Sequence, residues 1–183
     1  MPKLDYDALT GEEAQAHLDD IVARHPARLA ELAMYVAEDG DEACVLDGSI
    51  ESIRPLWRWY VSWWETTDGA EPGRCPAWWP PRDEERPPLP VAALERVDLV
   101  GHYLAEVALR SVPGSHWMVV RRDKRQSWED RNKPAIAVGN GWMLPFGLPY
   151  TLALRVSNGN TAEDALLRIF RNWVGHALPE GTQ

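Results

Sequence analysis

Most of the chain consists of segments whose apolar residues recur every three or four positions, broken by stretches rich in proline, glycine and charge. Thr10-Gly11-Glu12-Glu13 has the capping-box pattern, in which Thr10 accepts from the Glu13 amide while the Glu13 carboxylate reaches back. It predicts a helix over about 11–24 with Ala14, Leu18, Ile21 and Val22 inward. His25-Pro26 closes that helix, because the residue before proline avoids the α region. Pro26 then opens a second helix carrying Leu29, Leu32, Ala33 and Val36 up to Gly40. Residues 43–47 read as extended. Ser52 caps a third helix, since that choice leaves Pro55 in the first turn, where amides have no intrahelical acceptor.

The third helix contains Leu56-Trp57-Arg58-Trp59-Tyr60-Val61-Ser62-Trp63-Trp64, four tryptophans and a tyrosine in nine positions. At about 100° per residue, Ile53, Trp57, Tyr60, Val61 and Trp64 share one face with Leu56 at its edge. Trp59 and Trp63 fall on the opposite face, so the helix is apolar on two sides and needs two covers. The core supplies one. For the other, residues 66–90 form a proline-rich strap that includes Cys75-Pro76-Ala77-Trp78-Trp79-Pro80-Pro81. An extended segment of this kind builds no core of its own but lies across a surface with its rings as anchors. We favour a strap in which Trp78 and Trp79 pack near Trp59 and Trp63. The rival is an exposed patch of these four tryptophans that binds another chain. Large exposed apolar patches are uncommon on monomers, which favours the strap.

Beyond the strap, 90–110 has Leu94, Val97, Gly101, Leu104 and Ala108 on a helical stripe, closed by Pro113-Gly114. Residues 116–121 and 134–138 read as strands, and Gly139-Asn140-Gly141 is a hairpin signal joining the second to 142–144. Residues 149–158 alternate like a strand, yet Pro149 and Gly159 are helix punctuation, and helix is preferred. Asn160-Thr161-Ala162-Glu163 repeats the capping-box pattern and opens a last helix with Leu166, Ile169, Phe170 and Trp173 inward, ending near His176. The expectation is an α+β, helix-dominated single domain over 1–183 with a small, three-stranded antiparallel sheet. Its parts are N-terminal helices (1–65), the strap (66–90), and a helix, sheet and C-terminal helices (91–183).

Composition narrows the function classes. A chain of 183 residues buries a sizeable core as one domain. No apolar run approaches the ~20 residues that cross a bilayer, which excludes a helical membrane protein. The start, Met1-Pro2-Lys3-Leu4-Asp5-Tyr6-Asp7, lacks a basic region and an apolar core of a secretory signal, so a cytoplasmic location is expected. Cys44 and Cys75 are too few for a disulfide framework and are expected reduced. The net charge of -9 is uneven: residues 1–52 hold thirteen Asp or Glu against Lys3, Arg24 and Arg28. An acidic lobe makes nucleic acid an unlikely partner; a solvated helical surface is the preferred reading of it, and steering toward a basic protein the other.

Four short motifs resemble a widespread, largely uncharacterised family of bacterial α+β proteins. They are Asp47-Gly48-Ser49-Ile50-Glu51-Ser52, opening a helix; Gly101-His102-Tyr103-Leu104-Ala105-Glu106, within a helix; Trp117 on a strand; and the proline-led 149–159 ending in Gly159. Ala105 stands where that family usually has glycine. The resemblance implies a helix-dominated domain with a small sheet and carries over no catalytic residue, cofactor or metal ligand. Proteins of this general look often serve as immunity-like or accessory proteins.

Candidate chemistry is sparse. His102 and Glu106 sit four apart on one helix face, a spacing that suits a metal or a proton transfer but lacks a third ligand; a structural pairing of Glu106 with a histidine or arginine at the sheet edge is preferred. Cys75 beside Arg74 invites a lowered pKa, though no Cys-His signature accompanies it, and a structural thiol is preferred. Arg121-Arg122-Asp123-Lys124-Arg125-Gln126-Ser127-Trp128 reads as a solvated loop facing the acidic helices. Phosphate-binding loops, nucleophile elbows and zinc-protease motifs are absent. The preferred function is a non-enzymatic protein-binding or accessory protein, an immunity-type inhibitor of a basic partner, with Trp59, Trp63, Trp78 and Trp79 as its apolar contact. The alternatives are a small enzyme with a cleft near His102, Tyr103, Glu106 and Trp117, and a homo-oligomer whose tryptophan face is its seam.

Overall fold

Helix α1, Gly11–Glu38, begins at the expected cap: the Glu13 amide donates to Thr10 Oγ1 at 3.2 Å and the Thr10 amide to Glu13 Oε2 at 2.8 Å. A computed structural model describes residues 5–67, 73–79, 88–121, 130–139, 141–160 and 162–177. In it α1 does not stop at His25; it runs through Pro26 as one 28-residue helix. Proline removes one amide donor at an exposed position, while His25 and Arg28 on either side are buried and held by partners on the central helix. Those contacts outweigh the local preference of the residue before proline. The continuous helix also turns Val22 and Ala33, expected inward, toward solvent.

Helix α2, Ile53–Thr66, carries the tryptophans, and α3, Val91–Ser111, is the hub of the molecule. Nearly every side of α3 is buried, including Glu95, Arg96, Asp98 and His102. The strands β1, His116–Val119, β2, Pro134–Val138, and β3, Gly141–Met143, pair antiparallel in the order β1-β2-β3. The register Val138↔Gly141 leaves a two-residue turn, with Gly139 at φ 54°, as the Gly-Asn-Gly signal predicts. Helix α4, Gly147–Ser157, settles the ambiguous segment as helix. It ends on a Schellman arrangement: Gly159, at φ 84°, donates to the Val156 carbonyl and the Asn160 amide to Arg155. Helix α5, Ala165–Ala177, begins later than the second capping-box pattern suggests; Thr161 of that pattern lies outside the described residues.

The protein is thus α+β and helix-dominated, with a three-stranded antiparallel sheet. One continuous core draws residues from all five helices and from β2 and β3. No helix among the described residues is long and apolar enough to cross a membrane.

The tryptophan helix has its two covers, and among the described residues the second comes from α1 and α3, not from Trp78 and Trp79 of the strap. Trp57 stacks on Tyr60 at 4.9 Å and donates its indole N–H to the Ala162 carbonyl on the α5 side. Trp59 and Trp63, only 2% and 6% exposed, enclose the guanidinium of Arg96 from α3 together with Tyr35 from α1. The carbon of that guanidinium lies 4.3–5.5 Å from the three ring centres. Asp39 completes the cage, accepting from Trp59 Nε1 at 2.8 Å and facing Arg96 at 3.5 Å. A buried arginine on the neighbouring helix therefore gives those two rings their partner, through cation–π contact and an ion pair. Trp78 and Trp79 pack elsewhere, against Phe146 and Tyr150.

Candidate functional site: a buried polar centre and an aromatic cleft

Asp98, His102 and Glu106 follow one another at four-residue spacing on α3, so they share a face, and Glu95 lies beside them. Opposite, α1 presents His25, Arg28 and Glu31 at three-residue spacing. The two ladders interlock. Arg28 donates through Nε to Asp98 Oδ2 at 2.7 Å, approaches the same oxygen with Nη2 at 2.6 Å, and pairs with Glu31. Asp98 uses its other oxygen to accept from Trp78 Nε1 at 2.8 Å. His25 bridges the two residues singled out in the sequence: its Nδ1 meets His102 Nδ1 at 3.0 Å and its Nε2 meets Glu106 Oε2 at 3.2 Å.

One of the two facing Nδ1 atoms carries the proton that joins the rings, and His25 Nε2 donates to the Glu106 carboxylate. His102 Nε2 lies 3.8 Å from Asp98 Oδ1. Burial, then the charges of His25, Arg28 and Arg24, push the His102 pKa down to about 3, so it stays neutral. Burial raises the Asp98 carboxyl against the opposing pull of Arg28. Glu106 also pairs with Arg110 at 2.7 Å. The preferred structural pairing of Glu106 with a histidine and an arginine thus holds, except that both come from helices and not from the sheet edge. Among the described residues no group of three or more His, Cys, Asp or Glu is placed to hold a metal ion.

The cleft of the alternative reading, near Tyr103, Glu106 and Trp117, has its residues divided between two places. His102, Glu106 and Trp117 gather around His25, with the Trp117 ring 5.7 Å from it. Tyr103 points away: its hydroxyl lies 2.6 Å from Ser52 Oγ and accepts the Gly48 amide at 2.9 Å. Ser52 sits at the start of α2 as expected, but its hydroxyl serves Tyr103 and the Ser49 carbonyl instead of capping the helix. Three of the four motifs lie near one another around α3. Asp47–Ser52 docks on Tyr103, the missing side chain of Gly101 makes room for the Phe146 ring, and Trp117 stacks toward Phe146 at 6.3 Å.

Phe146 also begins the second feature. Trp78 lies parallel to it at 5.7 Å, and Tyr150, one helical turn on, meets Trp79 at 5.0 Å. The N-terminal segment closes this side because Asn132, at φ 61°, donates to the carbonyls of Tyr6 and Leu9. Tyr6 then donates to the Trp78 carbonyl at 3.1 Å. The result is a pocket of about 200 Å³ walled by Tyr6, Trp78, Trp79, Phe146 and Tyr150, with Lys133 also in its lining. A wider, shallower cleft of about 480 Å³ continues from it past Trp142 and Trp173 and shares Lys133, Leu144, Gly147 and Tyr150.

Trp59, Trp63 and Trp78 are buried and Trp79 is half-buried, so the four do not form one exposed patch. Cys75 is exposed on a small recess with Arg24, Arg28, Arg74, Asp98 and His102, but partial desolvation moves its pKa upward and opposes an activated thiolate. Arg121 donates to the Gly11 carbonyl of α1; residues 122–129 of the basic run lie outside the described residues. Sequence reading missed His25, Arg28, Glu95, Arg96 and Asp98. The available signal was a polar stripe at helical spacing, Glu95-Asp98-His102-Glu106, on an otherwise apolar helix. No protein-family model, curated protein or solved structure matches the chain, so function rests on this geometry alone.

Proposed function

We propose that the protein is a non-enzymatic, cytoplasmic binding protein that docks a basic protein partner on the outer face of α1, as an immunity-type inhibitor would. The observation that carries this reading is the composition of that face. Val22, Ala23, Pro26, Ala27, Ala30, Ala33, Met34 and Ala37 are all exposed, Met34 by 61%, and form an apolar stripe along half the helix. Val45, in the segment that follows the helix, is also 61% exposed. Acidic residues stand at both ends: Glu12, Asp19 and Asp20 at one, Glu38, Asp39 and Glu42 at the other, all exposed.

A second copy fits this surface poorly, because acidic ends meet acidic ends in either helix orientation. A partner with an apolar strip flanked by lysine or arginine fits both features, and the acidic field speeds its approach. Two free cysteines suit a reducing compartment. The apolar contact assigned to Trp59, Trp63 and Trp78 passes to α1, since those rings are occupied inside the chain. The motif resemblance to bacterial accessory proteins is compatible with this role.

The test uses the full chain and an Ala30→Arg variant as baits. A basic protein retained by the wild type is purified and titrated calorimetrically against both. Binding that weakens at least tenfold in the variant and falls with added salt supports the reading. Salt-insensitive binding that the variant retains, or a stable dimer at micromolar concentration that Ala30→Arg dissociates, overturns it.

A further inference from the structure

The aromatic cleft lies apart from the α1 residues of the proposed docking face and shares none of them. We infer that it is a binding site for a small planar aromatic acid, its ring held between Trp79, Phe146 and Tyr150 and its carboxylate on Lys133. Size selects the ring. Apolar cavities of about 150 Å³ take up benzene, so the inner pocket of about 200 Å³ accepts one ring or a fused pair and excludes most larger groups. Wall chemistry selects planarity, because the rings present faces and edges that reward offset stacking.

Charge selects an anion. An all-aromatic box with no cation would favour a ligand ammonium. Here Lys133 is the one charged residue among the described linings of both the pocket and the outer cleft, and it stands where the two join. It repels a cation and offers a partner to an anion. Its ammonium carries three donors, of which Asp130 takes one at 3.4 Å. Position is fixed by the fold: the neighbouring Asn132 is pinned to the N-terminal segment, and β2 starts at the next residue, Pro134. The wider cleft past Trp142 and Trp173 leaves room for a substituent beyond the carboxylate.

Calorimetric titration of the full chain with indole-3-acetate and with indole-3-ethanol, the same ring without the charge, tests this. The expected result is saturable one-site binding of the acid, at least tenfold tighter than the alcohol, as a charge-assisted hydrogen bond confers. Lys133→Met abolishes the preference and leaves the alcohol's affinity within about twofold, while Lys133→Arg keeps the preference. Trp79→Ala weakens both compounds at least fivefold. Failure of the wild type to saturate with either compound, equal affinity for the two, or a preference that survives Lys133→Met would each overturn the assignment. The Lys133 variants alter a half-exposed side chain, so the outcome does not depend on Trp79→Ala folding.

Discussion

His25 and His102 meet Nδ1 to Nδ1 at 3.0 Å across the α1–α3 interface, sharing a single proton between two rings that both lie out of water. Protonating His102 adds a charge where it is poorly solvated and close to Arg28 and Arg24, which is why its pKa falls to about 3. In the unfolded chain the same ring takes a proton near its ordinary value of about 6.5. Between those values the unfolded state binds more protons, so stability rises with pH through this window and is lost as pH falls below about 6.5. Asp98 opposes the trend, since its raised pKa lets the native state hold a proton the unfolded chain releases. Replacing His102 with Gln is expected to flatten the dependence by up to ~1 kcal/mol per pH unit between pH 6 and 4. Urea unfolding at pH 7, 6, 5 and 4 measures it, and a constant gap between wild type and variant would refute the account.

Asp98 uses both carboxylate oxygens in the interior, accepting from Arg28 and from the Trp78 indole. Removing its charge leaves the buried Arg28 guanidinium without its Nε and Nη2 partner, facing only Glu31 and Glu95. Asp98→Asn is expected to cost about 3–5 kcal/mol, and Arg28→Met a comparable amount. The double variant should cost less than the two together, by about 0.5–3 kcal/mol, because no charge is then left unpaired. Strict additivity in a double-mutant cycle measured by denaturant unfolding would mean that the pair is not coupled.

The Arg96 cage gives the third prediction. Arg96→Lys keeps the charge but not the flat surface that Tyr35, Trp59 and Trp63 contact. A loss of about 1–2 kcal/mol is expected, with tryptophan emission shifting to the red as water reaches the rings. An unchanged denaturation midpoint would show that position 96 needs only a positive charge. This cage also marks the limit of what the sequence reveals. The hydrophobic period located α2 and the opposition of its two faces, because periodicity is a local property. What covers the second face depends on how α1 and α3 rotate against α2, and an arginine in an apolar helix gives no local hint that it will be a partner for tryptophan.

Gly101 shows the same division at one residue. Its place on the apolar stripe of α3 is legible, but its need for a missing side chain is not. A Cβ there would overlap the ring of Phe146, which reaches α3 from the start of α4. Gly101→Ala is expected to destabilise by about 1–3 kcal/mol through overpacking, despite its better helix propensity. The aromatic cleft should widen as Phe146 is displaced, and near-ultraviolet circular dichroism reports that displacement. A stabilised Gly101→Ala variant would mean that the ring yields freely and the close approach carries no weight. The cleft itself was illegible for a related reason: Tyr6, Trp78, Lys133 and Tyr150 come from four separate segments and share no spacing.

Pro26 decides whether the long α1 helix tolerates its proline or uses it. The local rule that ends a helix before proline failed here because it counts one missing hydrogen bond and a steric preference. It cannot see that His25 and Arg28, immediately around the proline, are anchored to α3. Pro26 itself is exposed and on the opposite face. Alanine at this position restores the amide that bonds the Val22 carbonyl and removes the clash at that turn. If the anchors alone set the path of α1, Pro26→Ala raises stability by about 1–3 kcal/mol. If instead the proline bends the helix so that His25 reaches His102 while Leu18 and Val36 stay buried, straightening it separates one of these contacts, and the gain disappears. The burial of α1 from Ala14 to Val36 along one unbroken face argues for the first outcome. A higher thermal midpoint for Pro26→Ala than for the wild type is therefore expected, and a lower one would assign the proline a shaping role.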